Sequence, residues 1–158
     1  MNFKITVNLD LYKPVKLTNS IELVDVLDKK LIQDELDYFN QECIDKNGFP
    51  WKEIWSVEDA IQWLDRGWLF FLCKDNDKLI GWSWVDIPNK KFCHNYVSKN
   101  YRNKGCGREL TYVRLNECKK RGIDKIKVHV DGWNMNALHI YLNLDYVTIE
   151  KGDFYHDF

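Results

Sequence analysis

The chain contains no apolar run of 18 residues or more, so no segment has the length of a membrane-crossing helix. Its opening residues, MNFKITVNLDLYK, lack the charged-then-apolar order of a secretion signal. An excess of charge is missing as well. Lys and Arg number 23 against 24 Asp and Glu, a formal net charge of −1, which argues against the basic surface that a nucleic-acid or membrane partner requires. Cysteine is present without a pattern: Cys43, Cys73, Cys93, Cys106 and Cys118 are odd in number and scattered, with no pair at metal-ligand spacing. Four histidines without a close pair give no zinc signal either. The expectation is a reduced, cytoplasmic protein with no metal. Internal repeats and low-complexity linkers are also missing. At 158 residues, 45% apolar and 30% charged, the chain suits a single domain over residues 1–158 with a substantial core.

Against these absences one stretch stands out, Val97–Gly107, read as VSKNYRNKGCG and followed by RELTYVRLNECKKRG. KKFCHNYV is β-prone and ends at Val97. Gly105-Cys106-Gly107 then opens a segment whose apolar positions Cys106, Leu110, Val113 and Cys118 recur at helical spacing. A strand, a tight turn and a helix start make a place for an anion. The first helical turn leaves N–H groups without intrahelical acceptors, glycine lets a phosphate approach the backbone, and Arg102 and Lys104 add positive charge. The same residues would also serve a plain turn before a surface helix. The stretch is not a Walker A loop, lacking Gly-x-x-x-x-Gly-Lys-Ser/Thr, nor the dinucleotide fingerprint, lacking its third glycine.

The rest of the chain reads in order as follows. Either Phe3–Leu9 or Val15–Leu17 is a first strand, Pro14 preventing one strand through both. Asn19 or Ser20 caps a short helix near Ile21–Leu27, and Leu31–Cys43 follows as an amphipathic helix broken at Asn47-Gly48-Phe49-Pro50. Ser56, with Asp59 three positions later, opens a helix whose buried face is Ala60, Ile61 and Leu64. Trp68–Lys74 and Lys78–Asp86 flank a polar turn too short for a parallel crossover and form a hairpin. The helix from Cys106 to Arg121 ends at Gly122, Ile126–Val130 alternates as a strand, Met135–Asn143 is a helix, and Tyr146–Glu150 is a last strand. Phe154-Tyr155 could add a brief further one. Seven tryptophans are many for this length. They fill a core, or some of Trp51, Trp55, Trp82 and Trp84 line an acceptor pocket.

Two separated motifs carry a family resemblance. Arg102-Asn103-Lys104-Gly105-Cys106-Gly107 resembles the Arg/Gln-x-x-Gly-x-Gly/Ala pyrophosphate loop of the GNAT N-acetyltransferase family, with Tyr101 and Val97 at the usual spacing before it. Downstream, Asn134, Ala137, Tyr141, Leu144 and Tyr146 match Asn-x-x-Ala-x-x-x-Tyr-x-x-Leu-Gly-Phe in spacing, with Asp145 replacing the glycine and Tyr146 the phenylalanine. The resemblance implies an α/β fold of the α+β type: a mixed, mostly antiparallel sheet of six to seven strands, its fourth and fifth strands parallel and splayed apart, flanked by about four helices. Members often finish with a hairpin. The short tail here therefore implies either truncation or a partner chain, as in a homodimer, covering the sheet edge.

The resemblance further implies direct transfer of an acetyl group from acetyl-coenzyme A to an amine. Val97, Arg102, Asn103, Lys104, Gly105, Cys106, Gly107, Asn134, Ala137 and Tyr141 would hold the coenzyme. The Val97 N–H would polarise the thioester carbonyl, and Tyr141 would protonate the departing sulfur. Asn134 would hold pantetheine or simply cap its helix. Many members carry a general-base glutamate at the start of the fourth strand, where this chain has Lys91. Asp86, His94 and His129 are the remaining candidates for a base, each acting through water. The acid runs Asp34-Glu35 and Glu58-Asp59 are read as solvated. The acceptor is a small-molecule amine on this reading, with a protein lysine or N-terminus, a nucleotide-sugar amine, or a non-catalytic acyl-coenzyme A sensor as alternatives.

Overall fold

The computed structural model describes residues 2–18, 20–24, 29–47, 56–132 and 134–152. Trp51, Trp55 and Phe154-Tyr155 lie outside them. The centre of the fold is the hairpin of the third and fourth strands. In chain order the strands are β1 (Asn2–Asn8), β2 (Ser20–Val24), β3 (Leu69–Asp75), β4 (Lys78–Asp86), β5 (Lys91–Val97), β6 (Lys125–Asp131) and β7 (Val147–Gly152). The helices are α1 (Lys29–Asn47), α2 (Val57–Asp65), α3 (Cys106–Lys120) and α4 (Met135–Leu142). The described residues form one seven-stranded sheet in the order β2-β3-β4-β5-β6-β1-β7. Every neighbouring pair is antiparallel except β5 and β6. Among the described residues no helix is long and apolar enough to cross a membrane.

Alternation along β3 divides the core into two layers. Phe70 and Leu72 face one side with Ile32 and Leu36 of α1, Val57 and Ala60 of α2, and Trp82 and Trp84. Phe71 and Cys73 face the other with Leu110, Leu115 and Cys118 of α3 and Leu138 and Tyr141 of α4. The helices thus cover both faces in pairs, α1 with α2 and α3 with α4. α2 starts as its sequence dictates: the Ser56 hydroxyl accepts from Asp59 N–H at 3.2 Å, and the Asp59 carboxylate accepts from Ser56 N–H at 2.8 Å. Gly122, at φ +77°, ends the turn after α3.

Two expectations need correction. Ser20–Val24 is a strand rather than the start of a helix: it runs antiparallel to β3 from Ser20↔Lys74 to Val24↔Phe70, and pairing along that open edge outweighs weak local helical spacing. Val15–Leu17 is not a strand. This segment is strapped along α3, with the Asn116 carboxamide accepting from Val15 N–H at 3.1 Å and donating to Val15 O at 2.8 Å, and Lys119 Nζ donating to Leu9 O at 2.8 Å. The first strand is therefore Asn2–Asn8. β1 lies between β6 and β7, antiparallel to both, so the chain's own start fills the sheet beside its last strand.

Candidate functional site

β5 and β6 part almost as soon as they meet. Their paired positions are Lys91↔Lys127 and Phe92↔Val128, after which β5 continues beside β4 alone. The divergence coincides with a bulge. Ser83↔Asn95 and Val85↔Phe92 leave three steps on β5 against two on β4, and the extra residue turns the strand. Cys93 and His94 thereby both face α1 and α2, Cys93 against that apolar cluster and the His94 ring stacked on Trp63 at 5.8 Å.

Past the bulge, Ser98 N–H donates to Ile80 O of β4 at 2.8 Å. Neighbouring residues in a ladder point their backbone groups to opposite sides, so the Val97 N–H faces the gap. Gly81, opposite Val97, is where the two strands press together: a Cβ there would lie 2.7 Å from Tyr96 O. The chain then makes one 3₁₀ turn, Lys99–Tyr101, and reverses through Asn103 at φ +60° and Gly105 at φ +87°. Gly105 caps α3 without a side chain, and the first helical bond runs from Glu109 N–H to Gly105 O at 3.0 Å. The amides of Cys106, Gly107 and Arg108 consequently have no intrahelical acceptor. A Cβ on Gly107 would be in ordinary contact with Val97 at 3.6 Å and Ile140 of α4 at 3.9 Å. Loop, gap and α4 converge at this point.

The basic residues divide their roles. Arg102 turns back onto β5, its Nε donating to Val97 O at 2.9 Å and its guanidinium 5.9 Å from the Tyr96 ring centre. It clamps the loop to the strand that presents the Val97 N–H. Lys104 and Lys78 flank the Tyr101 ring at 5.6 and 5.4 Å, placing two ammonium groups beside the loop. On the opposite wall Tyr141 is buried, 3% exposed, and its hydroxyl receives a hydrogen bond from Arg114 Nη2 at 3.3 Å. Asn134 caps α4, its side-chain oxygen accepting from Ala137 N–H at 3.2 Å. Two orphan polar atoms lie on the α3 face of the β4–β5 pair: Ser83 Oγ and Asn95 Oδ1 are buried with no hydrogen-bond partner among the described residues. A ligand offering phosphate to bare amides and peptide-like groups to a strand edge fits this set, so the residues present are compatible with coenzyme A.

Two of the expected base residues have neighbours of their own. Asp86 is buried, but its carboxylate receives both Asn89 N–H at 3.1 Å and Asn89 Nδ2 at 2.8 Å, closing the turn between β4 and β5. His129 lies on β6 facing away from the Val128 and Val130 layer, with Nε2 4.0 Å from Asp131 Oδ1. A carboxylate that reads as solvated in the sequence touches β5. Glu35, half-buried on the inner side of α1, accepts from the Tyr96 hydroxyl at 3.4 Å. Its spacing with Ile32 and Leu36 placed it on the inward face, but an acidic pair hid that signal. Trp82 and Trp84 are fully enclosed, Trp82 tilted against Tyr96 at 4.5 Å and Trp84 stacked on Phe70 at 4.1 Å, whereas Trp63 and Trp68 are partly exposed. Among the described residues no cluster of three metal-ligating side chains occurs.

Three of the thiols, Cys93, Cys106 and Cys118, are poor nucleophiles. Burial pushes Cys93 up to about 12 and Cys118 up to about 12. Cys106 is also raised, first by the hydrogen bond it shares with Cys73 and then by burial. Thiolates are the reactive form, so these side chains do not suit a covalent acyl relay.

The sequence model of the Acetyltransferase (GNAT) family matches residues 31–146. The mycothiol acetyltransferase of Thermomonospora curvata is 30% identical over 105 residues, covering 61% of this chain and 35% of that protein. That of Rhodococcus jostii is 29% identical over 97 residues, covering 55% and 32%. The chain thus spans about a third of the length of the curated relatives it matches. Among solved structures, the PaiA N-acetyltransferase of Thermoplasma acidophilum in complex with coenzyme A superposes with a TM-score of 0.62 at 19% identity, over 84% of this chain and 99% of that one. An aminoglycoside acetyltransferase from an uncultured soil sample, in complex with trehalose, gives 0.61 at 16% identity over 88% and 95%. At these identities the structures establish a shared fold.

Proposed function

The chain belongs to the GNAT acetyltransferase family, and from that premise we propose that it transfers the acetyl group of acetyl-coenzyme A to a primary amine of a small molecule, by direct attack within a ternary complex. The observation that carries the reading is the gap after Phe92, with the Val97 N–H facing it, the uncapped amides of α3 at one end and Tyr141 on the far wall. Acetyl-coenzyme A, when bound, supplies an activated thioester. The Cys106–Arg108 amides and the Lys104 and Lys78 ammonium groups receive its phosphates. The exposed edge of β5 at Asn95 and Val97 pairs with its peptide-like arm, and the Val97 N–H donates to the carbonyl oxygen as negative charge gathers there. Tyr141 gives its proton to the departing sulfur. The raised thiols favour direct transfer over a cysteine relay.

The acceptor enters from the α1–α2 side, where partly exposed Trp63 and Trp68 form an aromatic rim and the Glu35 carboxylate reaches Tyr96, the neighbour of Val97. An aromatic rim with one inward carboxylate suits a compact cationic amine. Glu35 attracts it and takes its proton through water, in place of the glutamate missing at Lys91. The relatives' names, mycothiol acetyltransferase, agree with a small-molecule acceptor. The test is release of free thiol from acetyl-coenzyme A across a panel of small amines. Turnover is expected on at least one of them, with Tyr141→Phe lowering kcat by roughly 100-fold and changing KM for acetyl-coenzyme A little. Tight coenzyme binding with no thiol release on any amine would instead identify a non-catalytic acyl-coenzyme A sensor.

A further inference from the structure

α3 carries a charge that helix surfaces ordinarily leave in water. Arg114 is 0% exposed. Its Nε donates to Leu110 O at 3.3 Å, Nη1 to Cys93 O at 3.4 Å, and Nη2 to both Thr111 Oγ1 and Tyr141 Oη at 3.3 Å, while Cζ lies 4.1 Å over the Phe92 ring. Every one of these partners is neutral. A buried cation without a carboxylate is strongly unfavourable, and an apolar residue of similar volume would pack the same space at less cost. The place it occupies explains its retention. Phe92 is the last β5 residue paired with β6, and Cys93 is the first beyond it, so the guanidinium plugs the apex of the gap.

The hydrogen-bond inventory fixes direction. A guanidinium only donates, so Tyr141 Oη must be the acceptor of the Nη2 bond, and its single proton must point away from Arg114. Thr111 is oriented in the same way: its hydroxyl accepts from Arg114 and donates to Gly107 O at 3.0 Å. One cation therefore sets the hydroxyls of α3 and α4 from below the gap. We propose that Arg114 is a positioning residue for proton delivery, aiming the Tyr141 proton into the gap and offsetting the charge left behind when it goes. This rests on the assignment of Tyr141 as the acid. In the step, the thioester C–S bond breaks with its electron pair passing to sulfur. That pair takes the Tyr141 proton, so the O–H bond breaks and an S–H bond forms. The O–H electron pair stays on Oη, beside the guanidinium, until solvent returns a proton.

The experiment compares Arg114→Gln, Arg114→Lys and Tyr141→Phe with the wild type and with the Arg114→Gln/Tyr141→Phe double variant. Arg114→Gln is expected to lower kcat by roughly 10- to 100-fold, as a misaimed catalytic group does, while the coenzyme A dissociation constant by calorimetry stays within about twofold of wild type. Arg114→Lys, a single point charge on the same stem, restores part of the rate. In the Tyr141→Phe background Arg114→Gln changes kcat by less than about twofold, because residues acting as a unit are not additive. A readout without coenzyme or turnover accompanies these: with tyrosine labelled at ¹³Cζ, the resonance missing in Tyr141→Phe shifts in Arg114→Gln and moves back in Arg114→Lys. Wild-type kcat in Arg114→Gln, with an inactive Tyr141→Phe and an unmoved Cζ resonance, overturns the positioning role and leaves the acid intact. Full turnover in Tyr141→Phe overturns both. If Arg114→Gln does not fold, Arg114→Lys carries the comparison, and wild-type kcat with an unmoved resonance in that variant likewise overturns the proposal.

Discussion

Gly81→Ala tests the packing of β4 against β5 more sharply than any change within the phosphate loop. The added methyl would lie 2.7 Å from Tyr96 O and 3.2 Å from a Leu110 methyl. Reaching ordinary contact, 3.4 Å or more, asks for a displacement of about 0.7 Å at the carbonyl. A carbonyl in a ladder cannot swing aside as a flexible side chain would, so the strand itself must yield. Overpacking of this kind costs about 1–3 kcal/mol. Replacing glycine stiffens the unfolded chain and returns roughly 0.4–1 kcal/mol, which leaves a net loss of about 1–2 kcal/mol. For a domain of this size that lowers Tm by roughly 2–8 °C. The functional effect is larger, because Gly81 faces Val97 in the register, and a shift of that order at the oxyanion-facing amide lowers kcat by roughly 10-fold or more. Calorimetry and steady-state kinetics measure the two. Gly67→Ala is the control: at φ +89° with open space around it, it loses stability through backbone strain in the turn after α2 and keeps its kcat. A Gly81→Ala protein with wild-type Tm and kcat would refute the close approach of these strands and the placement of Val97.

Two further outcomes follow from the same geometry. Lys104→Ala raises KM for acetyl-coenzyme A several-fold, and the ratio to wild type narrows as salt is added, since an exposed ammonium acts through screened charge; an unchanged KM at low salt would remove Lys104 from the phosphate site. Stability falls as pH climbs above about 9, because the unfolded thiols ionise there while buried Cys93 and Cys118 hold their protons to about 12, so that the unfolded state binds fewer protons across that window. Urea midpoints from pH 8 to 10.5 under reducing conditions measure this slope, and Cys118→Ala is expected to flatten it relative to wild type; an identical slope in the variant would contradict the burial.

Local signals were strong where the chemistry is local. The Ser56–Asp59 capping box, the hairpin around Asn76, the reversal at Gly105 and the cap at Gly122 each follow from residues within a few positions of one another, and the structure shows all four. What escaped the sequence depends on partners far along the chain. Ser20–Val24 offers five residues compatible with helix or strand, and only the open edge of β3, some 50 positions on, decides between them. Arg114 carries no local mark, since an arginine in mid-helix is ordinarily a surface residue; its burial emerges only when Phe92, Cys93 and Tyr141 are brought to the same place. Glu35 was hidden by its neighbour Asp34, although the inward turn of α1 was legible from Ile32 and Leu36. Asp86 shows the converse. A buried acid at a strand end reads as a catalytic base, yet Asn89, three residues later, takes up its carboxylate.

The insertion of β1 between β6 and β7 also sets an order of events in time. Residues 2–8 are made well before their partners, residues 125–131 and 147–152, more than a hundred positions later. At roughly 5–20 residues per second of synthesis, the first strand waits several seconds or more for its place. Meanwhile β3 to β5 are joined by neighbours close along the chain, so that the centre of the sheet can assemble early. β6 meets β5 at only two registered positions but β1 along its whole length. The far wall of the gap is therefore hung on a segment made long before it and closes late. Binding competence is expected to appear late in folding, when β1 zips to β6 and β7, after most of the core is already in place.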